Sequence, residues 1–181
     1  MEAPTKPTIM DRLKAETRPQ HDDAENSALE KALFSGQITQ AAYIEFLAQR
    51  YLLHVEFDRL LGEARAKHPA IAEVVEDYMM QAPYAAEDLR HFGVDLAALK
   101  ALPATQAAID AFRRDAATAP LRLLGAHYVF EGSNNGGRFI SKSIRRAFNL
   151  EGDAGTRFLD PYGEQQRLRW AAFREKVNAH E

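Results

Sequence analysis

Residues 128–139 read YVFEGSNNGGRF. On either side, apolar residues at 121, 124, 128, 139, 140, 144 and 147 recur at close to helical spacing, so the stretch predicts the interior of a helix opened by Pro120 and ending near Phe148. The middle of that helix carries Gly132, Gly136 and Gly137. Each glycine in a helix interior costs about 1 kcal/mol relative to alanine, so three cost about 3 kcal/mol. A benefit must offset this. One is close packing of a second helix; another is a bare backbone face laid against something broad and flat. Ser133, Asn134 and Asn135 add polar groups able to hold water there. A phosphate loop does not fit, because GSNNGG has neither the lysine nor the spacing and follows no strand. A flat organic ligand fits better.

The rest of the chain is helical in pattern too. Alternating runs of β-branched residues are missing, whereas amphipathic segments of helix length recur. Met10, Leu13, Thr17, His21, Ala24 and Ala28 step by three and four, which predicts a helix over 8–33. Pro19 interrupts it, either as a kink or with Thr17 and Gln20 as a capping box that restarts the helix. Thr39 caps a long central helix to about Ala66, and Pro69 opens another to about Gln81. Pro83 opens a short helix that Gly93 ends, Leu96 to Leu99 forms a turn, and Pro103 opens a helix through Thr118. GDAGT, 152–156, is a loop before a last helix over 162–178. The expectation is an all-α protein of seven or eight helices in one domain over 1–181, with 1–7 flexible.

Composition narrows the chemistry. The 181 residues are 46% apolar and 27% charged, with a formal net charge of −3, which argues against a broadly basic nucleic-acid surface. With no cysteine, thiolate metal sites, disulfides and thiol nucleophiles are excluded, so any metal is held by nitrogen or oxygen. Apolar runs fall short of a membrane span, and the N-terminus lacks a signal-peptide core, so we expect a cytoplasmic protein without a membrane anchor.

His21 falls on the repeating stripe of the first helical segment, with Glu25 one turn on. Such a histidine is commonly a core residue; it is also a good axial ligand for heme iron, with a carboxylate to fix its tautomer. Lys14 and Arg18 nearby suit anionic ligand groups. His54, four residues before Asp58, and His127, on a different helical face from Gly132, rank below it. Glu-x-x-His pairs of a di-iron bundle are missing, and Ser133 does not follow a strand as a hydrolase nucleophile does.

Taken together, LKAETRPQHDDAE (13–25) and YVFEGSNNGGRF (128–139) resemble the proximal and distal helix patterns of the heme oxygenase family, in the family's order and separation. The resemblance covers residues 8–178. It implies a heme, both cofactor and substrate, held between the first helix and a kinked glycine-rich distal helix. His21 would bind the iron. Gly132, Ser133, Asn134 and Gly136 would form the catalytic face. Lys14, Arg18, Glu25, Tyr128, Gly137 and Arg174 would bind the heme. It further implies O2 as co-substrate, an external electron donor such as a ferredoxin or reductase, and biliverdin, carbon monoxide and ferrous iron as products. Two positions depart from the pattern: Ser133 stands where aspartate is common, and Asn135 where leucine is common. They leave room for a noncatalytic heme or bilin carrier on the same scaffold. A helical protein for another flat molecule, such as a thiamin-related compound, is the remaining alternative.

Overall fold

The structure is a computed structural model and describes residues 6–180. Of the loose start expected over 1–7, residues 1–5 lie outside the described residues, while Lys6 and Pro7 are exposed and belong to no helix. The described residues form nine α-helices with three short 3-10 turns, and no strand.

The count exceeds seven or eight because the first segment divides into α1 (Ile9–Glu16), α2 (Arg18–Glu25) and α3 (Ala28–Ser35). Thr8 and Asp11 cap α1 reciprocally. At Thr17 the backbone leaves the helical region (φ −93°, ψ 0°), as Pro19 requires by removing one N–H and crowding the preceding turn. The Thr17 hydroxyl donates back to the Leu13 carbonyl at 2.7 Å, so no capping box forms and Pro19 acts as a break. The His21 N–H still reaches the Thr17 carbonyl at 3.0 Å, which keeps α2 nearly continuous with α1. Ser27 then starts α3 by accepting from the Glu30 N–H at 3.1 Å.

Two long helices carry the molecule, α4 (Gln40–Arg65) and α8 (Arg122–Phe148). One apolar core joins Met10, Phe57, Leu61, Ile71, Leu123 and Phe173 from α1, α4, α5 (Pro69–Val74), α8 and α9 (Gln166–Asn178). A second joins Leu33, Tyr43, Leu47, Leu89, Ile140 and Ile144 from α3, α4, α6 (Ala82–His91) and α8. α7 (Pro103–Thr118) packs on α4 and α8. The helix expected to reach Gln81 stops at Val74. Val74 and Val75 are both fully buried, and Val75 turns extended (ψ 125°) before a 3-10 turn at Asp77–Met79, so burial of two β-branched side chains overrides the helical period. α8 runs through its glycines without interruption.

Candidate functional site

α3 meets α8 closely at one end and stands away from it at the other. At the close end, the left-handed Gly36 that ends α3 (φ 72°) lies against α8; a Cβ there would sit 3.1 Å from the Ser143 carbonyl oxygen and 3.3 Å from the Ala147 methyl. Further along, the helices part into a crevice of about 830 Å³, a size suited to a small organic ligand. Glu25 of α2 and Ala28, Lys31, Ala32 and Phe34 of α3 line one wall; Gly136 and Ile140 of α8 line the other.

The three helix glycines do different work. Gly136 is exposed, and a Cβ built on it meets nothing within 4 Å, so its bare backbone opens onto the crevice. A Cβ on Gly132 would touch Trp170 of α9 at 3.5 Å, an ordinary contact. Gly137, expected to bind the ligand, instead faces the segment before α9: a Cβ there would stand 2.2 Å from the Leu159 carbonyl oxygen. Helical geometry explains this, since adjacent residues point about 100° apart.

The polar residues of the distal segment disperse in the same way. Ser133 is exposed and donates its hydroxyl to the Phe130 carbonyl at 2.7 Å, leaving its lone pairs outward. Asn134, expected at the catalytic face, is 4% exposed and points to the core side of α8, roughly opposite Gly136, with its amide nitrogen unpartnered. Asn135 bridges: its Nδ2 donates to the Gly132 carbonyl at 3.0 Å while its Oδ1 accepts from Gln166 of α9 at 3.1 Å. Tyr128 is half-buried and packs its ring on Trp170, 6.0 Å between centroids.

Across the crevice, α2 has no buried residue, so His21 does not sit on a core stripe as its spacing suggested. Its side chain is 59% exposed, with Nδ1 3.6 Å from a Glu25 carboxylate oxygen and 3.9 Å from that of Asp22. Glu25 lines the crevice, and His21 stands one turn before it on the same face of α2; the crevice lining itself begins at Glu25. With Nδ1 turned to carboxylates, Nε2 is the edge left for a ligand. The expected cations divide between two carboxylates. Arg18 is engaged by Asp22 at 2.8 Å, whereas Lys14 and Arg174 both act on Asp11, whose carboxyl is held below its usual range first by the Thr8 hydroxyl. The two histidines ranked lower are core residues: burial holds both His54 and His127 neutral, His127 down to about 3 with its ring 3.4 Å from the Met79 sulfur.

The sequence reading missed two groups. Lys31 shares a face of α3 with Ala28, Ala32 and Ser35, a spacing of three and four that was legible. Glu131, by contrast, is 1% exposed and accepts from the Tyr162 hydroxyl at 2.8 Å and from Gln81 at 3.4 Å, partners no local pattern reveals. Burial pushes its carboxyl up from 4.5 to about 7. Between those values the folded chain holds a proton that the unfolded chain has released, so stability falls as pH rises through that window and levels off above it. The cost at pH 8 is at most about 3 kcal/mol. Glu131→Gln is therefore expected to flatten the profile between pH 4.5 and 7. Buried Asp88, also raised to about 7, contributes equally to both chains, so the difference isolates Glu131. Thermal denaturation of both proteins from pH 4.5 to 8 checks this; parallel profiles contradict it.

The family model described as heme oxygenase matches residues 8–181. A heme oxygenase of Pyropia yezoensis is 27% identical over 156 residues, covering 84% of this chain and 65% of that protein. Heme oxygenase 1 of Synechocystis is 25% identical over 155 residues and is spanned to 64% of its length. The chain thus spans just under two thirds of these relatives. In fold, it is similar to heme oxygenase-1 from Synechocystis in complex with heme, with a TM-score of 0.85, 23% identity and coverage of 94% of this chain and 78% of that one. It is also similar to heme oxygenase from Leptospira interrogans, with a TM-score of 0.84, 22% identity and coverage of 92% and 83%. With the family model covering nearly the whole chain, this chain belongs to the heme oxygenase family.

Proposed function

We propose that this chain is a heme oxygenase: it binds heme in the crevice between α2, α3 and α8 and opens the ring to biliverdin with release of carbon monoxide and ferrous iron. The observation that carries the reading is the slot itself. Glu25, on the helix that bears His21, and the face of α3 stand across about 830 Å³ from the bare Gly136 backbone of α8, and that slot suits a flat macrocycle. The donor set fits as well, because an imidazole nitrogen is a good ligand for heme iron and cysteine is absent. Bound heme would supply the oxygen chemistry, with O2 as co-substrate and electrons from an external donor protein.

The protein's own part is positional. Glu25, 3.6 Å from Nδ1, favours the His21 tautomer protonated there and leaves Nε2 as the ligand edge. Gly136 allows close approach on the opposite face, and Ile140 and Phe34 shed water from the flat ligand. Ser133 Oγ, exposed and with its proton committed to the Phe130 carbonyl, keeps its lone pairs free to accept from solvent. The cysteine-free composition accords with a cytoplasmic setting, and among the described residues no helix is long and apolar enough to cross a membrane.

Titration with hemin followed by reductant and oxygen tests the reading: a Soret band should form and then give way to bilin absorption. His21→Ala is expected to shift that band and weaken binding roughly tenfold, about 1.4 kcal/mol, with added imidazole restoring the band. A second reading, a noncatalytic heme or bilin carrier, draws on Ser133, which leaves the distal face without a carboxylate. It predicts a Soret band that persists under reductant and oxygen. No hemin binding by the native chain refutes both.

A further inference from the structure

The last turn of α2 carries no basic residue, although the C-terminal end of a helix is where its dipole favours cations. Asp22, Asp23 and Glu25 stand there instead. Packing does not require them, because α2 buries none of its residues. Two of the three converge on the His21 ring. Nδ1 lies 3.6 Å from a Glu25 oxygen and 3.9 Å from an Asp22 oxygen, and the three donor atoms all fall within 4.8 Å of one another. These separations exceed a hydrogen bond, so the group is not closed on itself. An ion bonded to each donor at about 2.0–2.2 Å fits between them after small rotations of exposed side chains. Among the described residues no other three histidine and carboxylate groups meet in this way. Arg18 does not fill the place. It bonds the two Asp22 oxygens at 2.8 and 3.0 Å, but an ionised carboxylate has about four acceptor positions, so Asp22 can keep Arg18 and still face the ring. A carboxylate that holds a metal is ordinarily steadied by just such a second bond.

One imidazole with two carboxylates is the donor set of a divalent transition metal, whereas calcium and magnesium take oxygen alone. We propose that His21, Asp22 and Glu25 form a site for a divalent ion of the zinc or nickel class, and that this ion and heme exclude one another at the His21 ring. A neutral imidazole has one bare nitrogen and one N–H. An ion chelated between Glu25 and His21 takes the lone pair of Nδ1 and leaves the proton on Nε2, the atom that a heme iron needs bare. Iron on Nε2 leaves the proton on Nδ1, turned toward Glu25, where it bars a second cation. A chain loaded with metal at α2 is therefore closed to heme. The metal site stands on its own donors; its antagonism to heme rests on the heme reading above.

The side chains of His21, Asp22 and Glu25 are 59%, 45% and 64% exposed, so their replacement leaves the fold intact. Calorimetric titration of the full chain with zinc chloride, before any hemin is added, should show one saturable site, and calcium chloride none of comparable affinity. His21→Ala and Glu25→Gln should each weaken zinc binding about tenfold or more and Asp22→Asn by less, while Asp23→Asn, on another face of α2, should change it less than about twofold. Long-range proton–nitrogen spectra should place the zinc on Nδ1 of His21. Rising zinc should raise the apparent Kd for hemin in proportion, and Asp22→Asn should raise the zinc concentration needed for the same effect. Equal binding of calcium, native zinc affinity in His21→Ala, or a loss in Asp23→Asn as large as that in His21→Ala overturns the site. Hemin affinity indifferent to saturating zinc overturns the antagonism and leaves the heme reading in place. Zinc bound as expected by a chain that fails to take hemin in zinc-free buffer removes the heme reading, and the antagonism with it, while the metal site remains.

Discussion

Gly137→Ala should lower the stability of the ligand-free protein by about 2 kcal/mol, while Gly125→Ala should raise it. Both sit inside α8, where alanine is intrinsically favoured by about 1 kcal/mol. They differ in what a methyl would meet. At Gly125 there is nothing within 4 Å; at Gly137 the Leu159 carbonyl oxygen would be 2.2 Å away and its carbon 3.2 Å. That carbonyl cannot simply retreat. Asp88 of α6 accepts from the Arg157 and Phe158 N–H groups at 2.9 and 2.8 Å, and the Tyr43 hydroxyl donates to the Gly155 carbonyl at 2.8 Å. The Leu159 N–H is bonded to the Thr156 carbonyl at 3.1 Å, and the Leu159 side chain is 6% exposed in the second core. Overpacking against such a segment costs about 1–3 kcal/mol, occasionally more, so the clash exceeds the propensity gain. In a chain of this size the net loss corresponds to a fall of about 4–8 °C in melting temperature. Thermal denaturation of the two variants beside the native chain measures it; a Gly137→Ala protein that melts at or above the native temperature refutes the argument.

This contrast also marks what the sequence could and could not convey. That α8 exists was legible, because the apolar period on either side of the glycines holds the helix together through tertiary burial of Leu123, Ile140 and Ile144. That the glycines were needed was legible from their intrinsic cost. Which of them faces a ligand was not, because Gly137 is explained by a carbonyl in a distant loop and Gly132 by an indole on α9. Similar reasoning applies to His21. Its spacing suggested a buried stripe, but α2 is an outer wall whose apolar period has no core behind it, so periodicity located the face and misread its burial. Lys31 escaped because a lysine among alanines on a short helix reads as solvated until the facing wall is known. Glu131 escaped for the opposite reason, since a glutamate in a helix carries no local sign of the Tyr162 and Gln81 side chains that receive it.

Gly136→Leu should leave the ligand-free fold unharmed and reduce hemin affinity more than a hundredfold, about 2.8 kcal/mol. The first half follows from the open surroundings of Gly136 and from leucine's better helix propensity, so the variant should melt no lower than the native chain. The second half follows from the slot. A flat ligand gains from α8 only if its plane reaches the backbone, and a leucine projecting from residue 136 stands between them, beside Ile140 and across from Ala28 and Lys31. Because α3 is fixed to α8 at the Gly36 contact, the walls cannot part to admit both leucine and ligand without breaking the packing of Gly36 on Ser143 and Ala147. Gly136→Ala, with one methyl, should cost tenfold or less. The comparison with His21→Ala separates the two walls: loss of the imidazole changes the spectrum of bound hemin and leaves the slot open, whereas loss of the glycine closes the slot and leaves the imidazole in place. Hemin titrations of the three variants, each with a melting curve, decide it. A Gly136→Leu protein that binds hemin with native affinity and an unaltered Soret band would place the ligand elsewhere than the crevice.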